Sequence, residues 1–463
     1  MLELDESGSV ISSGTSTCSD LAGTSVLRPS LLAKLVALLL VALALSCGNA
    51  TAATVRMQLM HVDAGRGLSP RELMHRMAQR SMARAARFLS EAETAPVTPG
   101  QINDGFPDTE YLVHFAIGTP AQRVQLTLDS GSDLVWTQCR PCVTCFNQSL
   151  PLFDASRSST FLQLSCGTAA CQALPATSCR TGSSSLDNQT CGYGYGYADG
   201  SLTFGSLAAD MFSFAKGAAV RGAFGCGLNN TGIFKSNETG IAGFGRGPLS
   251  LPSQLKVGNF SYCFTTITGS KPSTVLLGLP ANLYSSARGA VQTTPLIQNP
   301  AASPSFYYLS LKGITVGSTR LPVPASTFAL TSNGTGGAII DSGTGMTTFP
   351  TDVYNLVHDA FINQTSLTVA NSTATPLCFA SSPGKTPSVP KLILHFDGAT
   401  LDLPPENYMF DIEDDAGASF ICLAVFPGGD TTIIGNFQQQ NMHVLYDLAN
   451  NMLSFAPAQC DTL

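Results

Sequence analysis

The sequence predicts an all-β chain folded as two related lobes about a pseudo-twofold axis, with few and short helices. From Tyr111 onward, short apolar or alternating runs such as Tyr111–Ile117, Val124–Leu128 and Tyr307–Val316 are broken by Gly, Pro, Asn or Ser at strand-and-turn spacing. One order of elements also occurs twice. Tyr111-Leu112-Val113 leads through Gly118 to Leu126-Thr127-Leu128-Asp129-Ser130-Gly131-Ser132, and Tyr307-Tyr308-Leu309 leads through Gly317 to Ala338-Ile339-Ile340-Asp341-Ser342-Gly343-Thr344. Each is followed downstream by an apolar-apolar-Gly triplet, Ile241-Ala242-Gly243 and Ile433-Ile434-Gly435. Such internal duplication points to two copies of one unit. Helical periodicity is rare, the clearest case being Thr351–Phe361, where Val353, Leu356, Val357 and Phe361 share a face.

Taken in order, the chain opens with a secretory signal. Leu35–Leu45 is a Leu/Ala/Val run after Lys34, and Ala50-Thr51-Ala52 is a small-X-small cleavage pattern, so residues 1–52 read as a removable leader. The run is short for a bilayer span. The long, acidic stretch before it (Glu3, Asp5, Glu6) leaves two other readings: a true start further downstream, or a signal anchor. Residues 53–104 read as a basic prosegment. Ser69 and Glu72 cap a helix Ser69–Ser90 whose apolar residues mix with Arg71, Arg76, Arg80, Arg84 and Arg87. Residues 105–285 and 286–463 are then the two lobes, with the boundary near Leu279–Val291.

Charge and cysteine usage set the compartment and exclude some partners. Lys+Arg 24 against Asp+Glu 31 gives −7, which disfavours nucleic acid as a partner. Residues 53–100 carry seven Arg against four acids, whereas residues 101–463 carry 15 basic and 23 acidic residues. A basic segment before an acidic body suggests that one neutralises part of the other. Twelve cysteines lie between Cys139 and Cys460, an even set that reads as a disulfide framework made in an oxidising compartment. Eight Asn-X-Ser/Thr sequons, at Asn147, Asn188, Asn229, Asn237, Asn259, Asn333, Asn363 and Asn371, agree with passage through the secretory route.

The chemistry rests on the two turns. A single Asp-Ser/Thr-Gly is ordinary turn material. The four-residue pattern arises by chance roughly a few hundredths of a time per chain of this length, so two copies at equivalent places are a strong signal. Each follows an apolar β run, so each carboxylate emerges from a lobe interior into a cleft. Brought together across the pseudo-twofold axis, Asp129 and Asp341 could not both ionise cheaply, and the pair would hold one proton over an acidic range. The ionised member can take a proton from water while the protonated one polarises a carbonyl, which is amide hydrolysis with no metal or covalent intermediate.

On these residues the chain resembles the pepsin-like aspartic proteases over most of Tyr111–Pro457. The resemblance implies a double β barrel with a cleft between the lobes, with Asp129 and Asp341 as catalytic residues. Ser130 and Ser342 match the residues that lock the two turns together, each standing where Thr is commoner but keeping the hydroxyl. Gly131 and Gly343 complete the turns, and Ser132 and Thr344 match the residues that bond the outer carboxylate oxygens. Tyr197-Ala198-Asp199-Gly200-Ser201 is similar to the substrate-covering flap, with Ala198 where Gly is usual, and Trp136 matches the partner of the flap tyrosine. Without the resemblance, Tyr193, Tyr195 and Tyr197 would read as packing on one strand face. Cys139, Cys142, Cys145, Cys166, Cys171, Cys179 and Cys191 resemble the cysteine-rich insertion of the plant nepenthesin-type enzymes, and no saposin-like insert separates the lobes. The resemblance implies the pairs Cys378–Cys422 and Cys263–Cys460, while the remaining connectivity, including that of Cys226, stays open.

Other readings are weaker. Cys139, Cys142 and Cys145 could open an iron–sulfur motif, but Ser149 stands where the fourth cysteine would be, and no His lies close enough for zinc. No metal or other cofactor is therefore expected. The Gly-rich stretch Gly192–Gly205 reads as a mobile hairpin and Gly240–Gly247 as close packing under the first catalytic turn. The expectation is a secreted or vacuolar, monomeric endopeptidase held latent by its own prosegment, acting on polypeptides at acid pH with a preference for bulky apolar residues. The alternative is a silent inhibitor or binding protein on the same scaffold, similar to the xylanase inhibitors.

Overall fold

In the computed structural model the two repeats fold alike. The strand Gln122–Asp129 runs parallel to Gly240–Gly243, with Asp129 opposite Gly243. In the second repeat Ala338–Ile340 runs parallel to Thr432–Ile434, with Ile340 opposite Ile434. A further strand after each turn returns to the same partner, Trp136–Gln138 against Gly240–Gly243 and Thr347–Pro350 against Thr432–Ile434. The Asp-Ser-Gly turn of each lobe therefore lies where one strand has left the sheet and the next has not yet joined it. Leu126, Leu128, Ala338 and Ile340 are buried. These short apolar, partly β-branched runs suit strands covered on both faces.

The structure describes residues 55–61 and 111–462, apart from 180–188, 215–218, 235–236, 268–271, 279–283, 285–286, 300–304, 371–374, 383–386 and 414–416. The expected leader, the helix at Ser69–Ser90 and the sequons at Asn188 and Asn371 lie outside the described residues.

One antiparallel sheet joins the lobes. Its strands run in the order Tyr111–Ile117, Val55–His61, Ser273–Leu277, Asn259–Cys263, Met442–Asp447, Met452–Pro457 and Gln292–Ile297. Aromatic rings stack along it: Phe260 on Tyr446 at 4.4 Å, Tyr262 on Phe264 at 4.2 Å, and Phe264 on Tyr111 at 4.0 Å between centroids. Such pairs add about 0.5–1.5 kcal/mol each beyond the area they bury. The strand Val55–His61 belongs to the expected prosegment, where the sequence reading places only a helix further on. Its alternation is visible in retrospect, since Met57 and Leu59 are buried while Arg56 and Gln58 are exposed.

Two other elements refine the expectation. Tyr307–Val316 is not one strand: it breaks at Ser310 into Tyr307–Leu309, which pairs with Ala338–Ile340, and Leu311–Val316, which joins a separate four-stranded sheet. The amide of Asp397 donates to the Ser310 carbonyl at the break, 3.0 Å. The helix extends over Thr351–Gln364 and buries Val353, Tyr354, Val357 and Phe361, with Leu356 half-buried.

Six disulfides hold the described body: Cys139–Cys226, Cys142–Cys145, Cys166–Cys179, Cys171–Cys191, Cys263–Cys460 and Cys378–Cys422. The sulfurs of Cys166, Cys171 and Cys179 lie within 4.8 Å of one another, but all three are spent in disulfides and offer no thiolate to a metal.

Candidate active site

The two turns are built by the same pair of hydrogen bonds. The Gly131 amide donates to Asp129 Oδ1 at 3.0 Å and Ser132 Oγ donates to Oδ2 at 2.5 Å. The Gly343 amide donates to Asp341 Oδ1 at 2.9 Å and Thr344 Oγ1 donates to Oδ2 at 2.6 Å. Both aspartates are almost fully buried, at 1% and 4% exposure. In such a place a carboxyl group needs these donors to offset lost hydration.

The turns also hold each other. The Ser130 amide donates to Ser342 Oγ at 2.9 Å, and the Ser342 amide donates back to Ser130 Oγ at 2.8 Å. Ser342 Oγ donates onward to the Leu128 carbonyl at 3.0 Å. A methyl group added at Gly131 would lie 2.9 Å from both Asp341 carboxylate oxygens, so only glycine lets the first turn come this close to the second carboxyl. The reciprocal serine bonds thus hold the two carboxyl-bearing turns against each other, and two such groups can deliver a proton from one side while removing one on the other.

Beneath the turns the lobes differ. In the first lobe the Phe244 and Gly245 amides donate to the Asp129 and Ser132 carbonyls at 2.7 and 2.8 Å. Side chains at Gly243, Gly245 or Gly247 would collide with Asp133, so this Gly-rich stretch does pack closely under the first turn. In the second lobe the Asn436 and Phe437 amides donate to the Thr344 and Gly345 carbonyls at 2.7 and 2.9 Å. Amide side chains add to this. Asn436 Nδ2 donates to the Ser342 carbonyl at 2.9 Å, and Gln439 Nε2 to the Asp341 carbonyl at 3.3 Å. Gln438 Oε1 accepts from Thr347 N and Oγ1 at 2.9 and 2.7 Å. The floor is aromatic: Tyr446 bonds the Ser130 side chain and its hydroxyl lies 2.8 Å from that of Tyr262. Burial pushes the Tyr262, Tyr307 and Tyr446 phenols up, so this floor stays neutral.

Beside the first turn, Gly192–Gly196 and Leu202–Ser213 form a hairpin. Its turn Tyr197-Ala198-Asp199-Gly200-Ser201 closes because Asp199 Oδ1 accepts from the Ser201 amide at 2.9 Å and Gly200 takes φ +84°. Tyr197 is buried, its hydroxyl accepting from Trp136 Nε1 at 2.7 Å. Trp136 packs edge-on against Phe234 at 5.5 Å and Phe146 at 6.3 Å. Tyr193, Tyr195 and Tyr197 therefore do pack on one strand face, and that face looks toward the Asp129 turn, because Tyr195 Oη accepts from the Asp133 amide at 3.2 Å.

The structure gathers Asp129, Ser130, Gly131, Ser132, Asp341, Ser342, Gly343 and Thr344 into one place and sets Trp136 and Tyr197 beside it. Sequence reasoning missed Asp133, Tyr195 and the amides Asn436, Gln438 and Gln439. Asp133 directly follows the first motif, but nothing in the sequence marks its partner Ser305, 172 residues away.

Comparisons with known proteins agree with this geometry. Residues 111–279 match the family model described as Xylanase inhibitor N-terminal, and residues 306–457 the one described as Xylanase inhibitor C-terminal. Aspartic proteinase nepenthesin-1 of Nepenthes gracilis is 44% identical over 410 residues, covering 88% of this chain and 90% of its own. Aspartyl protease family protein 2 of Arabidopsis thaliana is 36% identical over 430 residues, covering 88% and 85%. Among solved structures, that of edgp superposes with a TM-score of 0.61 at 22% identity over 76% of this chain and 94% of its own. Basic 7S globulin from soybean gives a TM-score of 0.59 at 22% identity over 78% and 97%. With its duplicated Asp-Ser-Gly turns, its disulfide-rich β lobes and this degree of identity, the chain belongs to the nepenthesin-type group of pepsin-like aspartic endopeptidases.

Proposed function

We propose that the chain is a secreted aspartic endopeptidase, made as a zymogen and active as a monomer in acid, with Asp129 and Asp341 as its catalytic pair. The reading rests above all on the reciprocal Ser130–Ser342 bonds, which hold two equivalently bonded carboxyl groups at one cleft. A water between them gives a proton to the ionised carboxylate as its oxygen attacks the substrate carbonyl carbon. The protonated carboxyl passes its proton to the carbonyl oxygen. In collapse of the resulting diol the C–N bond breaks and the departing nitrogen takes a proton from the pair. Tyr197 and the hairpin that carries it cover the peptide, and the apolar surroundings favour bulky hydrophobic side chains.

Latency is supported by the strand Val55–His61. It fills a place between Tyr111–Ile117 and Ser273–Leu277, so release of residues 53–104 would empty a position in the sheet that joins the lobes. The Arg-rich segment pairs with the acidic body at neutral pH, and acid weakens that pairing by protonating carboxylates. Secretion, to the cell exterior or the vacuole, is supported by the six disulfides and by exposed sequon asparagines at 147, 229, 237, 333 and 363.

The test is hydrolysis of a denatured protein across acid to neutral pH, with Asp129→Asn beside wild type. Acid-dependent cleavage that disappears in the variant and with pepstatin supports the reading. A second reading, a silent inhibitor or binding protein, is favoured by the description of the matching family models. Folded wild type that cleaves nothing at any pH would make it the better one.

A further inference from the structure

Asp133 carries a carboxyl group that the hydrolytic scheme does not use, yet it sits at the junction of three segments. Its Oδ1 accepts from the Gly247 amide at 2.7 Å. Its Oδ2 accepts from Ser305 Oγ, at the entrance to the second lobe. Its own amide donates to the Tyr195 hydroxyl of the covering hairpin, 3.2 Å. The same stretch of the first lobe grips the second lobe twice more: the Arg246 amide donates to the Ser305 carbonyl at 3.0 Å, and Tyr307 Oη donates to the Phe244 carbonyl at 2.8 Å. Gly245 and Gly247 leave no room for side chains beside the carboxyl, so it has one place to be.

No cation is aimed at it from this stretch. The Arg246 guanidinium is taken by Asn451 Oδ1 at 2.8 Å and the Ile297 carbonyl at 3.4 Å, and lies 6.0 Å from the Tyr307 ring centre. Among the described residues, the charged or titratable groups that do face Asp133 are Asp129, Tyr195 and Tyr307, none of which favours a negative charge there. At the equivalent place after the second turn stands Gly345.

We propose that Asp133 is a positioning residue: it ties the Asp129 turn to Ser305 of the opposite lobe and thereby sets Asp129 relative to Asp341. This rests on the reading of those two aspartates as the catalytic pair. The chemistry of the tie suits an acid-active site. A serine hydroxyl donates to an ionised carboxylate, and equally accepts from a protonated one, so the link to Ser305 survives either protonation state while the Gly247 amide keeps its acceptor. An ammonium or guanidinium partner would lose its attraction as the carboxylate took up a proton.

The logic predicts which substitutions are tolerated. Asp133→Asn keeps an oxygen for Gly247 and offers an N–H to Ser305 Oγ, which reverses its role. Asp133→Ala removes both bonds. The experiment is steady-state kinetics on a fluorogenic peptide with bulky apolar residues, using acid-matured wild type, D133A, D133N, S305A and, as reference, D129N. The expected result is a kcat for D133A lower by roughly 10- to 100-fold with KM within about twofold, since displaced catalytic groups cost rate more than binding. D133N is expected within about threefold of wild type, and S305A in between. A D133A enzyme with wild-type kcat, a loss confined to KM, or a D133N enzyme as impaired as D133A would overturn the proposal. If D133A does not fold, S305A decides, because it removes one hydroxyl from the far side of the tie; unchanged kcat there is fatal to the idea. Full activity in D129N would instead sink the catalytic reading itself.

Discussion

The first and second lobes support their Asp-Ser-Gly turns by different means. Under Asp341 the side-chain supports are amides: Asn436 and Gln439 bond the turn, Gln438 bonds the strand that follows it, all three come from one short segment, and none of them titrates. Under Asp129 the side-chain support is the carboxyl of Asp133, and one of its bonds leaves the lobe altogether. The covalent stitching is uneven too. Four disulfides fall within the first lobe, Cys139–Cys226, Cys142–Cys145, Cys166–Cys179 and Cys171–Cys191, and one, Cys378–Cys422, within the second. A repeated backbone thus keeps its geometry while its side-chain supports diverge. The two turns lean on each other through Ser130 and Ser342, and beyond that shared bond the first draws a further side-chain tie from the opposite lobe through Asp133 and Ser305.

The harshest test of equivalence at the centre is to remove each carboxylate in turn. Asp129→Asn and Asp341→Asn are each expected to lower kcat by at least about 10³-fold, as groups acting as one unit do. A variant retaining a tenth of the wild-type rate would show that the two turns are not equal partners. Next comes the clamp on the shared sheet. Replacing Cys263 and Cys460 together by Ala opens a closure spanning 197 residues, against three for Cys142 and Cys145. On loop entropy the first costs about 5 kcal/mol and the second distinctly less, measured by urea titration under non-reducing conditions. Gln438→Ala probes the amide supports of the second lobe. It strands the Thr347 amide and the Ala424 carbonyl in a buried place, for about 2–3 kcal/mol of lost stability. A negligible change would mean water replaces the amide and the internal support is dispensable.

The subtlest expectation concerns pH. Burial holds the Asp133 carboxyl above its ordinary range, against the opposing bonds from Ser305 and Gly247. A carboxyl raised by folding favours the fold while protonated: its contribution is complete in acid, below the unfolded value, and is lost as pH climbs through the raised one. The melting temperature of wild type should therefore fall relative to Asp133→Asn between acid and neutral pH. Parallel pH curves for the two proteins would show that this carboxyl does not distinguish the lobes.

Much of this architecture was legible beforehand because it is repeated or local. The paired Asp-Ser-Gly turns sit at equal places in two half-chains, the hairpin turn Tyr197–Ser201 is a five-residue motif, and the glycines of Gly240–Gly247 announced a close backbone approach that the structure places against Trp136 at Gly240 and Asp133 at Gly243, Gly245 and Gly247. What escaped depends on distant partners. The Asp133–Ser305 bond spans 172 residues, and Gln438 meets Thr347 91 residues away. Side-chain amides in a Gln/Asn run look like a polar loop until the strands above them are in position. The strand Val55–His61 was hidden differently: it is only seven residues long, its alternation ends at Leu59-Met60, and its neighbours Tyr111–Ile117 and Ser273–Leu277 come much later in the chain. Cysteine pairing in the insertion had no local signal, since spacing permits many connectivities.

The aromatic floor has a spectroscopic corollary. Burial raises the phenol pKa of ten of the eleven tyrosines, several of them far above the ordinary value. In an alkaline titration the near-ultraviolet tyrosinate absorbance of the intact protein should hardly rise where free tyrosine ionises. Most of the increase should arrive in a single step when the lobes come apart. The phenols are thus a built-in optical gauge of whether the body as a whole is folded, with Tyr111, Tyr262 and Tyr446 reporting from the shared sheet itself.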